Sequence, residues 1–315
     1  MEHVKAMTVD IVIPVFNEEE VITSFHHLLL ETVDDITGSL RIIYVNDGSR
    51  DGTQQVLEGF AAADPRVQVL ELSRNFGHQA ALSAGMAIAD ADYVITMDGD
   101  GQHPPALISE MLALASQGYD MVLTQRMDKE GGGRFKKLTS RWFYQLINRI
   151  ADTNIMPGGA DFRLLSHEVV SVLNDMPEYH RFLRGMVSWV GFKSKILVFT
   201  PPERIAGKSK YSLKKMFKLA SDAVFSFSLM PLYISIAIGL GFIVLAIIEA
   251  IYVLSFWISG NTQNLAPGWS SLMFMLLVVG GSILISLGMI GMYVGYIFQE
   301  VKQRPKYIVR KVGKK

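Results

Sequence analysis

The sequence predicts an α/β fold, with a mostly parallel sheet and helices on both faces, followed by two long apolar helices. Between residues 8 and 124, short apolar runs alternate with segments of helical length, as in strands joined by crossover helices. Turn residues follow the ends of these runs. Beyond residue 230, two further apolar stretches each exceed the ~20 residues needed to cross a hydrocarbon core.

Five strands and four intervening helices are predicted in the first part of the chain. The strands lie in TVDIVIPVFNEEE, LRIIYVNDGSRDGT, VQVLEL, YVITMDGDGQHPP and YDMVLT. Ligands of parallel sheets gather at the carboxyl ends of the strands, so the polar residues that follow these runs form the candidate site. The helices are expected near residues 18 to 33, 51 to 64, 77 to 90 and 104 to 117.

The most informative polar residues follow the fourth strand, in YVITMDGDGQHPP. The apolar run indicates a buried strand, so Asp98 and Asp100 emerge together where it ends. Two hard oxygen ligands one residue apart, with Gly99 and Gly101 allowing close backbone approach, suit a divalent cation that also binds a diphosphate. An ordinary solvated turn is the alternative, because Asp and Gly are common turn residues.

Polar residues also follow the first two strands. Glu18 and Asp47 are placed to accept hydrogen bonds from a ribose or a base edge, although either could instead cap a following helix. Gly77 lies at the start of the third helix, where free backbone amides favour a phosphate. Helix packing alone would also explain this glycine.

Four motifs, IPVFNEEE, VNDGSRDGT, RNFGHQAALSAG and MDGDGQHPP, follow one another as in glycosyltransferase family 2, which has the GT-A fold. Three later motifs, GGADFRLLS, YHRFLRGMVSWVG and ERIAGKSKYSLKKM, resemble the polyprenyl-phosphate branch of this family. Within that branch the chain is similar to dolichol-phosphate mannose synthases. It resembles more closely the bacterial bactoprenol glucosyltransferases that serve O-antigen glucosylation, over nearly its whole length.

The resemblance implies roles where the motifs coincide. Asp98 and Asp100 would bind Mg²⁺ or Mn²⁺ on the diphosphate, and Asp161 falls where the family places a residue beside the transferred sugar. Asp100 and Asp161 are therefore the expected catalytic residues. Asn46 stands where many relatives carry a second aspartate, so the base contact depends on Asp47. The residues expected along the nucleotide are Pro14, Phe16, Glu18, Asp47, Gly77 and Asp98.

The charge balance, the cysteine count and one missing motif argue against several classes of function. The chain has 30 basic and 30 acidic residues, and we expect no nucleic-acid partner. It has no cysteine, which excludes a disulfide framework and a thiol nucleophile and fits a reducing compartment. The QxxRW signature of processive polysaccharide synthases is absent from the sequence, which argues against polymer elongation.

The apolar stretches predict a membrane anchor. Residues 231 to 258 carry one charged residue, Glu249, and residues 270 to 298 carry none. A buried core helix is the alternative, but two such stretches adjoin without a polar face. The expected organisation is a GT-A catalytic domain at 1–211, an interfacial amphipathic helix at 212–229, two transmembrane helices within 230–299 and a basic tail at 300–315.

Loop charges predict the orientation of this anchor. The segment SGNTQNLAPG between the spans has no charged residue, whereas the tail EVKQRPKYIVRKVGKK has seven Lys or Arg against one Glu. Positive charge stays inside, so the catalytic domain and the C-terminus are expected in the cytoplasm, in a multi-pass protein of the inner (plasma) membrane. Small residues such as Gly280 and Gly288 permit close helix packing, and the branch is oligomeric, so we expect a homo-oligomer, with a tetramer as one candidate.

A lipid-linked acceptor would present a phosphate with a second pKa of about 6, so its oxygen is largely unprotonated at neutral pH. Such an acceptor needs cations rather than a strong general base. A basic linker attracted to anionic lipid would also explain the motif ERIAGKSKY. The candidates for binding the acceptor phosphate are Arg126, Arg134, Arg204 and Lys210.

The sequence therefore predicts an inverting, metal-dependent glycosyltransferase that transfers one hexose, glucose from UDP-glucose, to undecaprenyl phosphate. The product would be a lipid-linked monosaccharide for modification of a cell-surface glycan. One alternative is the same acceptor with GDP-mannose or a UDP-aminosugar as donor. A non-catalytic membrane scaffold is another, and a small transporter is disfavoured because only two spans are present.

Overall fold

The computed structural model describes residues 7–34, 36, 38–127, 156, 158–179, 181–202, 230–260 and 268–313. The chain divides into two compact units, Met1–Asp222 with Arg304–Lys315, and Ala223–Gln303. The first unit contains a sheet with helices around it, and the second contains two long apolar helices. The predicted interfacial helix at 212–229 lies outside the described residues.

The described part of the first unit forms one eight-stranded sheet, with the strand order β7-β5-β6-β4-β1-β2-β3-β8. The strands are β1 Val9–Val15, β2 Leu40–Asn46, β3 Val67–Leu72, β4 Tyr93–Thr96, β5 Met121–Arg126, β6 Gly159–Ser166, β7 Ser194–Phe199 and β8 Val309–Val312. The helices around the sheet are α1 Ile22–Val33, α2 Thr53–Ala63, α3 His78–Ile88, α4 Leu107–Ser116, α5 His167–Asp175 and α6 Leu183–Trp189.

The five strands and four helices predicted from the alternating pattern are confirmed as β1 to β5 and α1 to α4. Four strand pairs are parallel: β1 with β2, β1 with β4, β2 with β3, and β5 with β7. Two strands that the sequence did not predict run antiparallel. β6 lies between β4 and β5, and β8 pairs with β3 at one end of the sheet.

The buried core lies on both faces of β1 and β2. On one face, Ile11 and Tyr44 pack with Phe25 of α1 and Leu57 of α2. On the other face, α3 approaches β1 at Gly85, where a Cβ atom would stand 2.2 Å from Cγ1 of Val12. A glycine is required at this point because any larger residue would push the helix away from the strand.

The tail is part of the sheet. Leu70 and Glu71 of β3 pair with Val312 and Lys311 of β8, and the Gly313 N–H donates to the carbonyl oxygen of Val69 at 2.7 Å. Two ion pairs accompany this pairing, Lys311 with Glu58 and Arg310 with Glu71. The sequence predicted only a basic tail here, and in the structure this tail supplies a strand that pairs with an otherwise unpaired edge of the described sheet.

The second unit consists of α7 Met230–Ile258 and α8 Trp269–Val301. Within them, Leu232–Ile258 and Val278–Val301 are long and apolar enough to cross a membrane. None of the residues in the most apolar window of either helix is buried by the described chain. This exposure distinguishes them from core helices of a soluble domain, whose apolar side chains are covered.

A disulfide tests the pairing of β3 with β8. The protein has no cysteine, so the double variant Glu71→Cys/Lys311→Cys contains only the introduced thiols. Directly paired antiparallel residues have Cα atoms about 4.5–5.5 Å apart, within the range of a disulfide. We expect mild oxidation of the purified full-length protein to join them, as measured by intact mass and loss of thiol labelling.

Glu110→Cys/Lys311→Cys is the matched control. Glu110 is exposed on α4, which packs on β5 at the far side of the sheet from β8. Strands lie about 4.8 Å apart, so these thiols are too distant to bond. Equal thiol labelling of the two oxidised double variants would contradict the pairing.

His26 is a buried base in this fold. Its ring stacks on Phe60 with centroids 4.0 Å apart, and Nδ1 lies 2.9 Å from the Tyr44 hydroxyl oxygen. Burial lowers the pKa of His26, with a smaller contribution in the same direction from His27, while Asp64 opposes the shift. The folded chain therefore keeps His26 neutral at pH values where the unfolded chain protonates it.

This difference predicts loss of stability in mild acid. Below the unfolded-state pKa of about 6.5 the unfolded chain binds more protons at His26 than the folded chain does. The free energy of unfolding should thus fall with pH from about 6.5 down to the lower folded pKa, by at most about 1.4 kcal/mol per pH unit. Thermal unfolding of His26→Gln should show a shallower pH dependence than the wild type, whereas exposed His27→Gln, which removes only the smaller contribution to the pKa shift of His26, should retain most of the wild-type slope. Equal slopes for His26→Gln and the wild type would be evidence against this assignment.

Candidate active site

The loops after β1 and β2 form one connected part of the site. The Asn17 N–H donates to Oγ of Ser49 at 3.0 Å, and the Glu18 N–H donates to Oγ1 of Thr53 at 3.0 Å. Asn17 takes the left-handed conformation, with φ of 52°. Pro14 in β1, with Phe16 and Glu18 beyond it, therefore lies at the carboxyl edge of the sheet, as predicted.

Asp47 connects this edge to the start of α3. Its buried carboxylate accepts hydrogen bonds from the N–H groups of Phe76 at 2.7 Å and Gly77 at 2.9 Å. Burial raises the pKa of Asp47, and these two hydrogen bonds offset part of the rise. Asp47 thus fixes the turn into α3, and the amide of Gly77 is already engaged. Their predicted contacts with base and phosphate stay predictions.

Asp98 lies between two histidines. Its Oδ1 is 3.2 Å from Nε2 of His78, and its backbone N–H donates to Nδ1 of His103 at 2.8 Å. The buried ring of His103 stacks on Phe162, with centroids 5.3 Å apart. Asp98, two residues beyond β4, is therefore oriented through its backbone by His103, and its side chain lies near the rings of both His78 and His103.

Asp100 is oriented by Gln102. The backbone N–H and the side-chain amide of Gln102 donate to the two oxygens of Asp100, each at 3.0 Å. The Gln102 Oε1 accepts a hydrogen bond from Nη1 of Arg126 at 2.6 Å. Gly101 takes φ of 78°, which permits the tight turn between these residues. Arg126, proposed for the acceptor phosphate, thus lies at the site, while Arg134, Arg204 and Lys210 fall outside the described residues.

Asp161 is the buried carboxylate of the site. It pairs with Arg163 two residues along β6, and Nη2 of Arg184 in α6 donates to its Oδ2 at 2.8 Å. Burial alone would raise the pKa of Asp161, but the charges of Arg184 and Arg163 outweigh it and hold the pKa well below its usual value. The carboxylate therefore stays ionised at neutral pH and is a weak base.

The structure brings together Asp98 and Asp161, which the sequence predicted separately. Nε2 of His78, 3.2 Å from Asp98, is also 3.5 Å from Oδ2 of Asp161. The antiparallel insertion of β6 beside β4 produces this proximity, since Thr96 pairs directly with Arg163. Thr96 Oγ1 also donates to the carbonyl oxygen of Asp161 at 2.7 Å, which fixes the backbone there.

Sequence reasoning missed several polar residues of the site. The RNFGHQ and GQHPP motifs contained three of them, but their side chains had no assigned role because each type is also common in turns and helix starts. The two arginines lie in the GGADFRLLS and YHRFLRGMVSWVG motifs, but they had no assigned role because a basic residue at an alternate strand position or near a helix start is usually solvent-exposed. The missed residues are His78, Gln102, His103, Arg163 and Arg184.

The described carboxylates could bind a divalent ion only if a substrate supplied further ligands. Among the residues that the structure describes, no group of three or more His, Cys, Asp or Glu side chains could bind a metal. Asp98 and Asp100 offer hard oxygens on one turn, and Mg²⁺ commonly binds one or two carboxylates together with substrate phosphates. The two residues therefore fit an ion whose remaining ligands come from a diphosphate and water.

The fold and the site define a class of protein. A mostly parallel sheet, with an Asp-Gly-Asp turn at its carboxyl edge and an inserted antiparallel strand carrying a third carboxylate, is a GT-A-type α/β fold. The sequence model of glycosyl transferase family 2 matches residues 10–173. The chain belongs to this family and is a glycosyltransferase. The resemblance stated from the motifs is confirmed.

Relatives of similar length match this chain over nearly its whole length. The "Uncharacterized glycosyltransferase YkcC" of Bacillus subtilis is 40% identical over 96% of this chain and 93% of its own length. The "Prophage bactoprenol glucosyl transferase homolog" of Escherichia coli is 39% identical over 98% of this chain and 100% of its own. The "SfII prophage-derived bactoprenol glucosyl transferase" of Shigella flexneri is 39% identical over 97% of this chain and 98% of its own.

The burial of Asp161 predicts a structural cost for its neutralisation. Asp161→Asn would leave Arg163 buried without a full counter-charge, and breaking a buried pair in this way costs about 3–5 kcal/mol. We expect the free energy of unfolding of the full-length protein to fall by that amount, as measured by chemical denaturation in detergent.

Arg184→Gln is the comparison variant. It leaves the Arg163–Asp161 pair in place and removes only a partly exposed partner, so its expected cost is about 1 kcal/mol. If both variants unfold like the wild type, Asp161 does not have the stabilising role that its contacts indicate.

Proposed function

We propose that this glycosyltransferase transfers a single hexose, glucose from UDP-glucose, to undecaprenyl phosphate with inversion at the anomeric carbon. The observation that carries the proposal is that Asp98 and Asp161 both lie against His78 at one edge of the sheet, with Asp100 two residues beyond Asp98 and oriented by Gln102. It is supported by relatives 39% identical over nearly the whole chain that are named as bactoprenol glucosyl transferases.

The donor would bind where the loops after β1, β2 and β4 meet α3. Pro14, Phe16, Glu18 and Asp47 would line the nucleoside, and Asp98 and Asp100 would face the diphosphate. When bound, a Mg²⁺ or Mn²⁺ ion would neutralise charge on the departing UDP. Gln102 keeps both oxygens of Asp100 oriented, which reduces the ordering cost of that ligand.

The low pKa of Asp161 fits an acceptor that needs no general base. A hydroxyl acceptor must lose a proton as it attacks, which favours a base with a pKa near 7. A phosphate monoester has a second pKa of about 6 and is already largely deprotonated at neutral pH. Asp161, ionised and paired with Arg184, would instead stabilise positive charge on the sugar ring and position Arg184 beside the acceptor phosphate.

The pairing of β8 with β3 limits how the chain can be arranged across a membrane. β8 follows the two long helices and pairs with β3, so both ends of the helical pair connect to the same sheet. If α7 and α8 cross the bilayer, the catalytic unit and the tail lie on one side of it. Seven basic residues in the tail favour the cytoplasm as that side, where nucleotide sugars are available.

The direct test is a transfer assay. Purified full-length protein in vesicles is incubated with radiolabelled UDP-glucose, undecaprenyl phosphate and Mg²⁺ or Mn²⁺, and the lipid fraction is extracted. We expect one labelled sugar on each lipid and no product with excess chelator. Label in long polymer, or transfer from GDP-mannose or a UDP-aminosugar and not from UDP-glucose, would contradict the proposed reaction. Nucleotide binding without turnover would favour the scaffold.

Carboxylate-to-amide variants test the site. Asp98→Asn and Asp100→Asn should lower the transfer rate at least ~100-fold, because losing several kcal/mol of charge stabilisation costs about tenfold per 1.4 kcal/mol. Calorimetry should also show loss of metal-dependent UDP affinity. Asp34→Asn, the same change at an exposed residue paired with Arg66, is the control and should retain wild-type activity. Undiminished activity in both site variants would refute the assignment of the metal ligands.

A further inference from the structure

The strand β7 presents apolar residues to solvent. Within the described sheet β7 lies at one end, with β5 as its neighbour. Leu197 and Phe199 point into the core, but the alternate residues Ile196 and Val198 are 48% and 53% exposed. An edge strand that is apolar on both faces is uncommon in a protein surrounded only by water.

The register connects this exposed face to the active site. Ile196 pairs with Leu123 of β5, and Leu123 pairs with Arg163 of β6. Directly paired residues point to the same side of a sheet, and so do residues two apart along a strand. Ile196 and Val198 therefore lie on the sheet face that carries Arg163 and Asp161.

The end of β7 also reaches the catalytic edge. The Met127 N–H donates to the carbonyl oxygen of Phe199 at 2.8 Å, and the exposed Met127 directly follows Arg126. Arg126 in turn donates to Gln102, the residue that orients Asp100. Met127 thus brings an exposed apolar side chain to the carboxyl edge of the sheet, next to Arg126, whose own side chain lies on the Phe199 side of β5 and β7.

Residues just before and within β7 add an aromatic ring and positive charge. Trp189 at the end of α6 is 61% exposed. Lys193 is exposed and its Nζ lies 4.7 Å from the centre of the Tyr119 ring. Lys195 is also exposed; strand alternation places it on the side of β7 opposite Ile196, at the edge of the described sheet. Exposed Trp, aliphatic side chains and lysines together match the headgroup region of a bilayer, where aromatic rings lie at the interface and basic residues attract anionic lipid. We name Met127, Trp189, Lys193, Lys195, Ile196 and Val198 the β7 surface.

We propose that the β7 surface contacts a bilayer containing anionic lipid, so that a lipid-borne phosphate approaches Asp161 along it. This inference rests on the proposed function, in which the acceptor is a membrane lipid. Two observations favour lipid over a second copy of the chain. Lys193 and Lys195 on facing copies would repel each other, and the chain continues from β7 to the first apolar helix, which begins at Met230.

Spin labels test the contact without requiring activity. Because the protein has no cysteine, Ile196→Cys places a nitroxide at one defined position. The full-length protein is reconstituted in nanodiscs with anionic lipid, and accessibility to oxygen and to a water-soluble nickel chelate is measured. The matched controls are Leu28→Cys on α1 and Val172→Cys on α5, which are 41% and 37% exposed and lie outside the β7 surface.

We expect the label at residue 196 to be more accessible to oxygen and less accessible to nickel than either control label. Equal accessibility at the three positions would overturn the proposal. Strong dipolar coupling between labels at residue 196, together with nickel protection that persists in detergent, would show that a second copy covers the surface and would also overturn it.

Charge variants test the anionic-lipid requirement in the transfer assay. Lys193→Gln/Lys195→Gln should raise the KM for undecaprenyl phosphate in anionic vesicles about tenfold, with kcat and UDP affinity unchanged. The double variant should respond weakly to the anionic lipid fraction, and unchanged KM would contradict the inference. If wild-type protein transfers no sugar, the proposed function fails, and the spin-label experiment still decides whether the surface meets lipid.

Discussion

The pairing of Asp161 with Arg163 and Arg184 is the interaction on which the active site depends. Arg163 is buried in the middle of β6 and cannot remain charged there without a counter-ion. Asp161 compensates it and reaches α6 through Arg184 at the same time. One carboxylate therefore connects β6 to a helix from a later part of the chain.

The insertion of β6 between β4 and β5 brings Asp161 to the candidate site. If β6 lay at the edge of the sheet, Asp161 would be far from the Asp-Gly-Asp turn. The antiparallel pairing with β4 instead places Thr96 opposite Arg163 and brings Asp161 within reach of His78. The diphosphate and sugar parts of the proposed site thus come from different parts of the chain, and the sheet register determines the spacing between them.

The two ends of the sheet have different partners. At one end β8 covers β3 with backbone hydrogen bonds and two exposed ion pairs, which satisfies that edge within the chain. At the other end β7 has an exposed apolar face. In chain order, β7 comes before the two apolar helices and β8 comes after them. The two end strands of the described sheet therefore flank, in sequence, the segment that is proposed to cross the membrane.

The sequence by itself determined the alternating strands and helices, the two apolar helices and the Asp98–Asp100 turn, because each depends on local periodicity or on adjacent residues. It also predicted Asp161 and the family through motif resemblance. Only the tertiary structure decided that β6 and β8 join the sheet antiparallel, since pairing partners far apart in the chain leave no local pattern. His78 and Arg184 became site residues for the same reason, as did His103 through its stacking on Phe162: these contacts are made across elements, and a lone polar residue in the sequence does not specify its partner.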